Sequence, residues 1–153
     1  GFHPYFTVGI EPVDEAEARI PAAGYLEFNP QLAPTGRVIA AAGTEWDYRR
    51  FHRIGPRRFN HCYLQLERDA VGMATASLRD QKSGRTIDVV MDRAFSAIVV
   101  YTGDAIAGAP RRALAIEPMT CATDAFNHPD WGLERLLPGE TFGGSYTVRA
   151  RLS

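Results

Sequence analysis

Two short stretches place a titratable side chain directly before a proline. His3 lies in Gly1-Phe2-His3-Pro4-Tyr5-Phe6-Thr7-Val8-Gly9, and Glu117 ends the apolar run Ala113-Leu114-Ala115-Ile116 ahead of Pro118. A proline ring pushes the residue before it towards extended backbone, so both side chains are expected on strand-like segments. A carboxylate at the end of a buried strand is partly desolvated, which raises its pKa, and an imidazole titrates near neutrality. Such a pair can act as general base and general acid on one substrate. Spacing alone does not bring them together, because their positions differ by 114.

The elements that must position these groups read mostly as short strands. Tyr25-Leu26-Glu27-Phe28 alternates and is broken by Asn29-Pro30, and Val38-Ile39-Ala40 follows a turn expected at Pro34-Thr35-Gly36. Tyr63 to Leu66, Met73 to Leu78 and Arg85 to Met91 follow, the last two joined by the polar, Gly-ended segment 79–84 as a hairpin. Ala97 to Tyr101, Arg112 to Glu117 and Ser145 to Leu152 add three more strands. Residues 10–24 are acidic and proline-punctuated and read as a connecting loop, and 43–55 as a structured loop dense in aromatic and charged residues. Residues 124–137 carry at most a turn or two of helix around Pro129 and Gly132. Short strands separated by turn residues predict an all-β sandwich or barrel.

Composition sets the class. With 153 residues, 45% hydrophobic and 23% charged, the chain has the balance of an ordinary globular domain. A net charge of −1 gives no electrostatic footprint for nucleic acid or an anionic membrane. No apolar run approaches the ~20 residues that span a bilayer. Cys62 and Cys121 are too few for a disulfide scaffold, which fits a reducing, cytoplasmic setting. No repeat, low-complexity tract or linker divides residues 1–153, so they are expected to form part of one domain. The chain opens directly on an apolar strand without an initiator Met, which predicts that it begins inside that domain.

Four stretches in order, GFHPYFTVG, GTEWDYRRFHRIG, LAIEPMTCATDAFN and LLPGETFGGSYTV, resemble the C-terminal half of bacterial aldose 1-epimerases, the galactose mutarotase-like proteins. The resemblance implies a large antiparallel β-sandwich, here a C-terminal partial domain with the N-terminal half missing. It implies a monosaccharide substrate, an aldohexose, whose α and β anomers interconvert by ring opening at C1, with no cofactor and no metal. It also implies the roles: Glu117 as the base on the C1 hydroxyl and His3 as the acid on the ring oxygen. The family's sugar-binding Asp falls at Asn60 in Phe59-Asn60-His61-Cys62-Tyr63-Leu64, with Asp92 as the other position it can match. An amide still exchanges hydrogen bonds with hydroxyls but brings no charge. The family's second histidine and substrate-binding arginine belong to an upstream half, so the fragment alone is expected to be inactive.

Other readings stand beside this one. The same fold can serve as a non-catalytic carbohydrate-binding module, or as a hexose-6-phosphate mutarotase with Arg57-Arg58 or Arg111-Arg112 holding the phosphate. Glu117 can instead pair with Arg111 or Arg112, and His3 can be an ordinary strand histidine. His61, Cys62, Cys121 and His128 lack paired metal-ligand spacing, and both cysteines are expected to be buried small hydrophobes. Trp46, Tyr48 and Phe51 are expected to pack against the sandwich, Asp47 and Arg49 to brace their loop, and Trp131 to pack beneath the C-terminal strand.

Overall fold

The computed structural model describes residues 1–9 and 11–152. Its strands, in chain order, begin with β1 (Tyr5–Phe6), β2 (Glu17–Arg19), β3 (Ala22–Phe28), β4 (Pro34–Ala40) and β5 (His52–Arg53). They continue with β6 (Asn60–Leu66), β7 (Ala74–Arg79), β8 (Arg85–Met91), β9 (Ala97–Tyr101), β10 (Leu114–Met119) and β11 (Tyr146–Leu152). Two antiparallel sheets result, one ordered β1-β10-β9-β6-β3-β4 and the other β11-β8-β7-β2-β5. The all-β reading holds, with helix among the described residues limited to 3₁₀ turns at Val13–Glu15 and Pro129–Trp131.

Three stretches depart from the sequence reading, one of them 43–55, where His52–Arg53 forms β5 against β2 inside the expected loop. Residues 10–24 are not one loop, because Glu17–Arg19 forms β2 and β3 starts at Ala22. Glu17 and Arg19 alternate with a fully buried Ala18, the in–out pattern of a strand too short to stand out between prolines. Pro34-Thr35-Gly36 is not a turn either but the start of β4. β4 closes the edge of its sheet, and the first residue of an edge strand is where proline's missing N–H costs nothing.

The six-stranded sheet is packed on its inner face and covered on only part of its outer face. Its inner face meets the second sheet through a core that includes Ile98, Val100, Leu114, Ile116, Tyr63 and Phe59. Its outer face carries a smaller cluster of Leu26, Cys62, Leu64 and Ala97, covered by Ala122 and Trp131 from the connection between β10 and β11. Trp131 therefore packs on the six-stranded sheet, away from β11, and stacks on His128 at 3.9 Å. Gly132 makes that close approach possible: its φ is +90°, and a Cβ there would lie 2.3 Å from the Ser96 hydroxyl. The 43–50 loop is braced as expected, with the Arg49 guanidinium donating to Asp47 at 2.7 and 2.9 Å. Tyr48 is buried, and Phe51 lies beneath the Arg79 guanidinium at 3.9 Å.

Candidate functional site

β10 carries an apolar and a chemical side on alternate residues. Leu114 and Ile116 enter the inner core, while Ala115 and Glu117 turn to the outer face. There Glu117 stands opposite Val99 of β9, and Val99 stands opposite Cys62 of β6. On its other side β10 pairs with β1, Tyr5 facing Ala115 and Phe6 facing Leu114. Continued by two residues, this register sets His3 opposite Glu117. Two backbone bonds hold it there, Phe2 N–H to the Pro118 carbonyl at 3.1 Å and Ile116 N–H to the Pro4 carbonyl at 3.3 Å.

The two prolines that marked these residues in sequence face this same ladder. Neither Pro4 nor Pro118 has an N–H, so each pair flanking His3 and Glu117 keeps one of the two bonds it would otherwise make. His3 and Glu117 occupy the non-hydrogen-bonded position between them, where side chains approach most closely. The His3 Nε2 lies 3.0 Å from the Glu117 Oε1, with the Glu117 side chain 8% exposed and that of His3 54% exposed. Burial raises the Glu117 pKa above the ordinary glutamate value, and the neighbouring His3 opposes part of that rise.

Neither arginine suggested as a partner for Glu117 reaches it. Arg111 donates to Asp14 at 2.8 Å, to Asp104 at 2.7 Å, and to the carbonyls of Gly55 and Arg57. Arg112 is paired with Glu11 at 2.9 Å. Both are spent on joining loops to the sandwich. The surface between β1 and β9 is thus left to the His3–Glu117 pair, Tyr5 and Tyr101.

Asn60 lies on the same outer face. It opposes Tyr101 on β9, and Tyr101 opposes Ala115, so Asn60 is two strands across and two residues along from Glu117. At ordinary strand and residue spacings their Cα atoms are roughly 12 Å apart. Asn60 is exposed, and its own backbone N–H donates to the His61 Nδ1 at 3.2 Å. Asp92 is placed quite differently, at the end of β8, where its carboxylate accepts the N–H groups of Ala94 and Ser145 and closes a turn. Of the two matches, only Asn60 shares a face with Glu117.

The residues considered for metal binding part company. His61 turns to the inner face and packs on Trp46 at 3.9 Å, Cys62 is buried in the outer cluster, Cys121 is half-buried, and His128 stacks on Trp131. Among the described residues, no three His, Cys, Asp or Glu side chains are grouped to hold a metal ion. Sequence reasoning missed Tyr5 and Tyr101. Their signal was present in the alternation of HPYF and of the β9 strand, but only the register joins them to the site.

Comparison with known proteins agrees with this architecture. The sequence profile of the aldose 1-epimerase family matches residues 1–149. The chain is 23% identical over 137 residues to the uncharacterized protein YihR of Escherichia coli K12, an alignment covering 90% of this chain and 40% of that one. Its fold is similar to that of the GalM/aldose epimerase homologue of C. elegans, with a TM-score of 0.84 at 17% identity over 98% of this chain and 50% of the other. A galactose mutarotase-like protein of Clostridium acetobutylicum superposes with a TM-score of 0.75 at 16% identity, covering 97% of this chain and 44% of its own. The chain thus spans about half the length of the relatives it matches. With two antiparallel sheets corresponding to half of the galactose mutarotase-like fold and a family match over nearly its whole length, the chain belongs to the aldose 1-epimerase family.

Proposed function

We propose that the chain supplies the acid and the base of an aldose 1-epimerase site. The supporting observation is the 3.0 Å contact between a raised, buried carboxylate and an exposed imidazole on one sheet face. A bound aldohexose replaces that contact with two of its own. Glu117 takes the proton of the C1 hydroxyl while the protonated His3 gives one to the ring oxygen; the C1–O bond breaks and C1 becomes a carbonyl. Rotation about C1–C2 turns the other carbonyl face to the released hydroxyl. In the reverse step that oxygen attacks C1, returns its proton to His3, and the new C1 hydroxyl takes its proton from Glu117. Each group ends as it began. Asn60, on the same face, exchanges hydrogen bonds with hydroxyls away from C1.

The remainder of the pocket comes, in this reading, from further strands of the same domain. The inner-facing side of β11 supports this, since Val148 and Leu152 stay 45% and 76% exposed on a face that a sandwich normally buries. A hexose-6-phosphate substrate is less well supported, because Arg111 and Arg112 are already paired and the Arg57 Nε lies 3.6 Å from Glu45. The amide at Asn60 favours the second reading, a sugar-binding module without catalysis. Polarimetry decides between them. Freshly dissolved α-D-glucose and α-D-galactose should mutarotate well above the spontaneous rate with the full-length gene product that carries this chain. Sugar binding at the spontaneous rate would leave the binding module.

A further inference from the structure

His3 is weakly held for a group that must deliver a proton to one atom. It precedes an edge strand of two residues, its side chain is 54% exposed, and among the described residues its ion-pair contact is with Glu117. That contact touches one ring nitrogen and leaves the imidazole free to swing about it. The feature that removes this freedom is on the same strand. The Tyr5 ring lies over the His3 ring with centroids 5.0 Å apart and planes inclined by 27°. Tyr5 in turn stands opposite Ala115, a fully buried methyl, with Tyr101 on the far side of it. The Tyr101 hydroxyl accepts the Ala105 N–H at 2.9 Å, which ties that ring to the loop after β9.

We propose that Tyr5 is a positioning residue for His3, its ring holding the imidazole in the plane that keeps Nε2 against the Glu117 carboxylate. Burial, Tyr101 and Glu117 all push the Tyr5 pKa up, and the phenol stays neutral beside the carboxylate. The role of this placement in catalysis rests on the acid–base reading above; the placement itself does not.

Histidine-labelled NMR of the full-length gene product that carries this chain separates the two. The groups facing His3 are Glu117 from β10 and Tyr5 from its own strand, with Tyr101 of β9 beyond Ala115. The wild type and Tyr5→Phe should both show upfield ring-current shifts of the His3 ring protons and the same NOEs between the His3 ring and the Glu117 side chain. Tyr5→Leu, at a 41% exposed position, should lose the shift and weaken those NOEs. In the full-length gene product, Tyr5→Leu should lower kcat on the order of 10-fold with KM little changed, and Tyr5→Phe should restore it. No ring-current shift in the wild type, unchanged His3–Glu117 NOEs in Tyr5→Leu, or a Tyr5→Phe variant as impaired as Tyr5→Leu would each overturn the proposal. A wild type that fails to mutarotate sugars removes the catalytic reading instead, and the NMR result still decides whether Tyr5 positions His3.

Discussion

Two histidines belong to opposite faces of the same sheet. His61, on β6, looks into the sandwich, where Trp46, Phe59, Tyr63 and Tyr25 surround it with ring centroids 3.9 to 6.3 Å away. Desolvation there pushes its pKa down to about 4, so near neutral pH it is an uncharged packing residue. His3 sits on the outer side of the ladder, half in water and 3.0 Å from a buried carboxylate. The identity of the side chain is therefore a poor guide to chemistry in this fold. What matters is whether an odd or even position turns it to the aromatic core or to the face that Glu117 shares.

That contrast can be broken at several points, the largest effect coming from the pair itself. Glu117→Gln should reduce kcat/KM for mutarotation by the full-length gene product about 10³-fold, and His3→Ala by about 10²-fold, the range expected for losing one acid–base group. His61→Phe should leave the rate within about 3-fold of wild type, because its ring faces the core. A comparable loss from the last variant would mean that the two faces are not functionally distinct.

Stability should respond in opposite directions. Glu117 has a folded-state pKa raised by burial, so its stabilising contribution is fully present below the ordinary glutamate pKa and is lost as pH rises through the folded value. Thermal melts should show Glu117→Gln at least as stable as wild type at pH 7, with the advantage shrinking towards pH 4. His61 has its pKa lowered to about 4, so wild type loses stability as pH falls from about 6.5 towards that value. His61→Phe should flatten that acid limb, and an unchanged limb would remove the case for a desolvated neutral imidazole.

Smaller effects belong to the rim and the edges. Asn60→Asp restores a charge on the outer face and should alter KM several-fold, and the preference between glucose and galactose, with kcat nearly constant. The 153-residue chain alone should sediment as an associated species, because β11 leaves an apolar inner side and an unpaired edge. A monodisperse monomer would argue against further strands completing the sheet.

The period-2 pattern made much of this sandwich readable. Strands such as Arg85–Met91 and Ala97–Tyr101 are β-branched, mostly apolar runs bounded by turn residues, so their bounds were legible from sequence. β2 and the start of β4 were not, because proline and charge mark turns in an isolated sequence and are equally at home on short or edge strands. Trp131 was misplaced for a related reason: nothing local tells a loop which sheet it will cover. At the site, proline before-effects marked His3 and Glu117 singly, and the family resemblance joined them. The register that makes them neighbours, and that brings Tyr5 and Tyr101 alongside, depends on strands far apart in sequence, which no local pattern encodes.

The account turns on Glu117 acting as an ionised base from a buried site. Its most direct test is the pH dependence of kcat/KM for mutarotation of α-D-galactose by the full-length gene product. Since the base must be ionised, the rate should fall on the acid side with a midpoint above the ordinary glutamate value of 4.5. A rate that stays flat through pH 4 would contradict the assignment of Glu117 as the base.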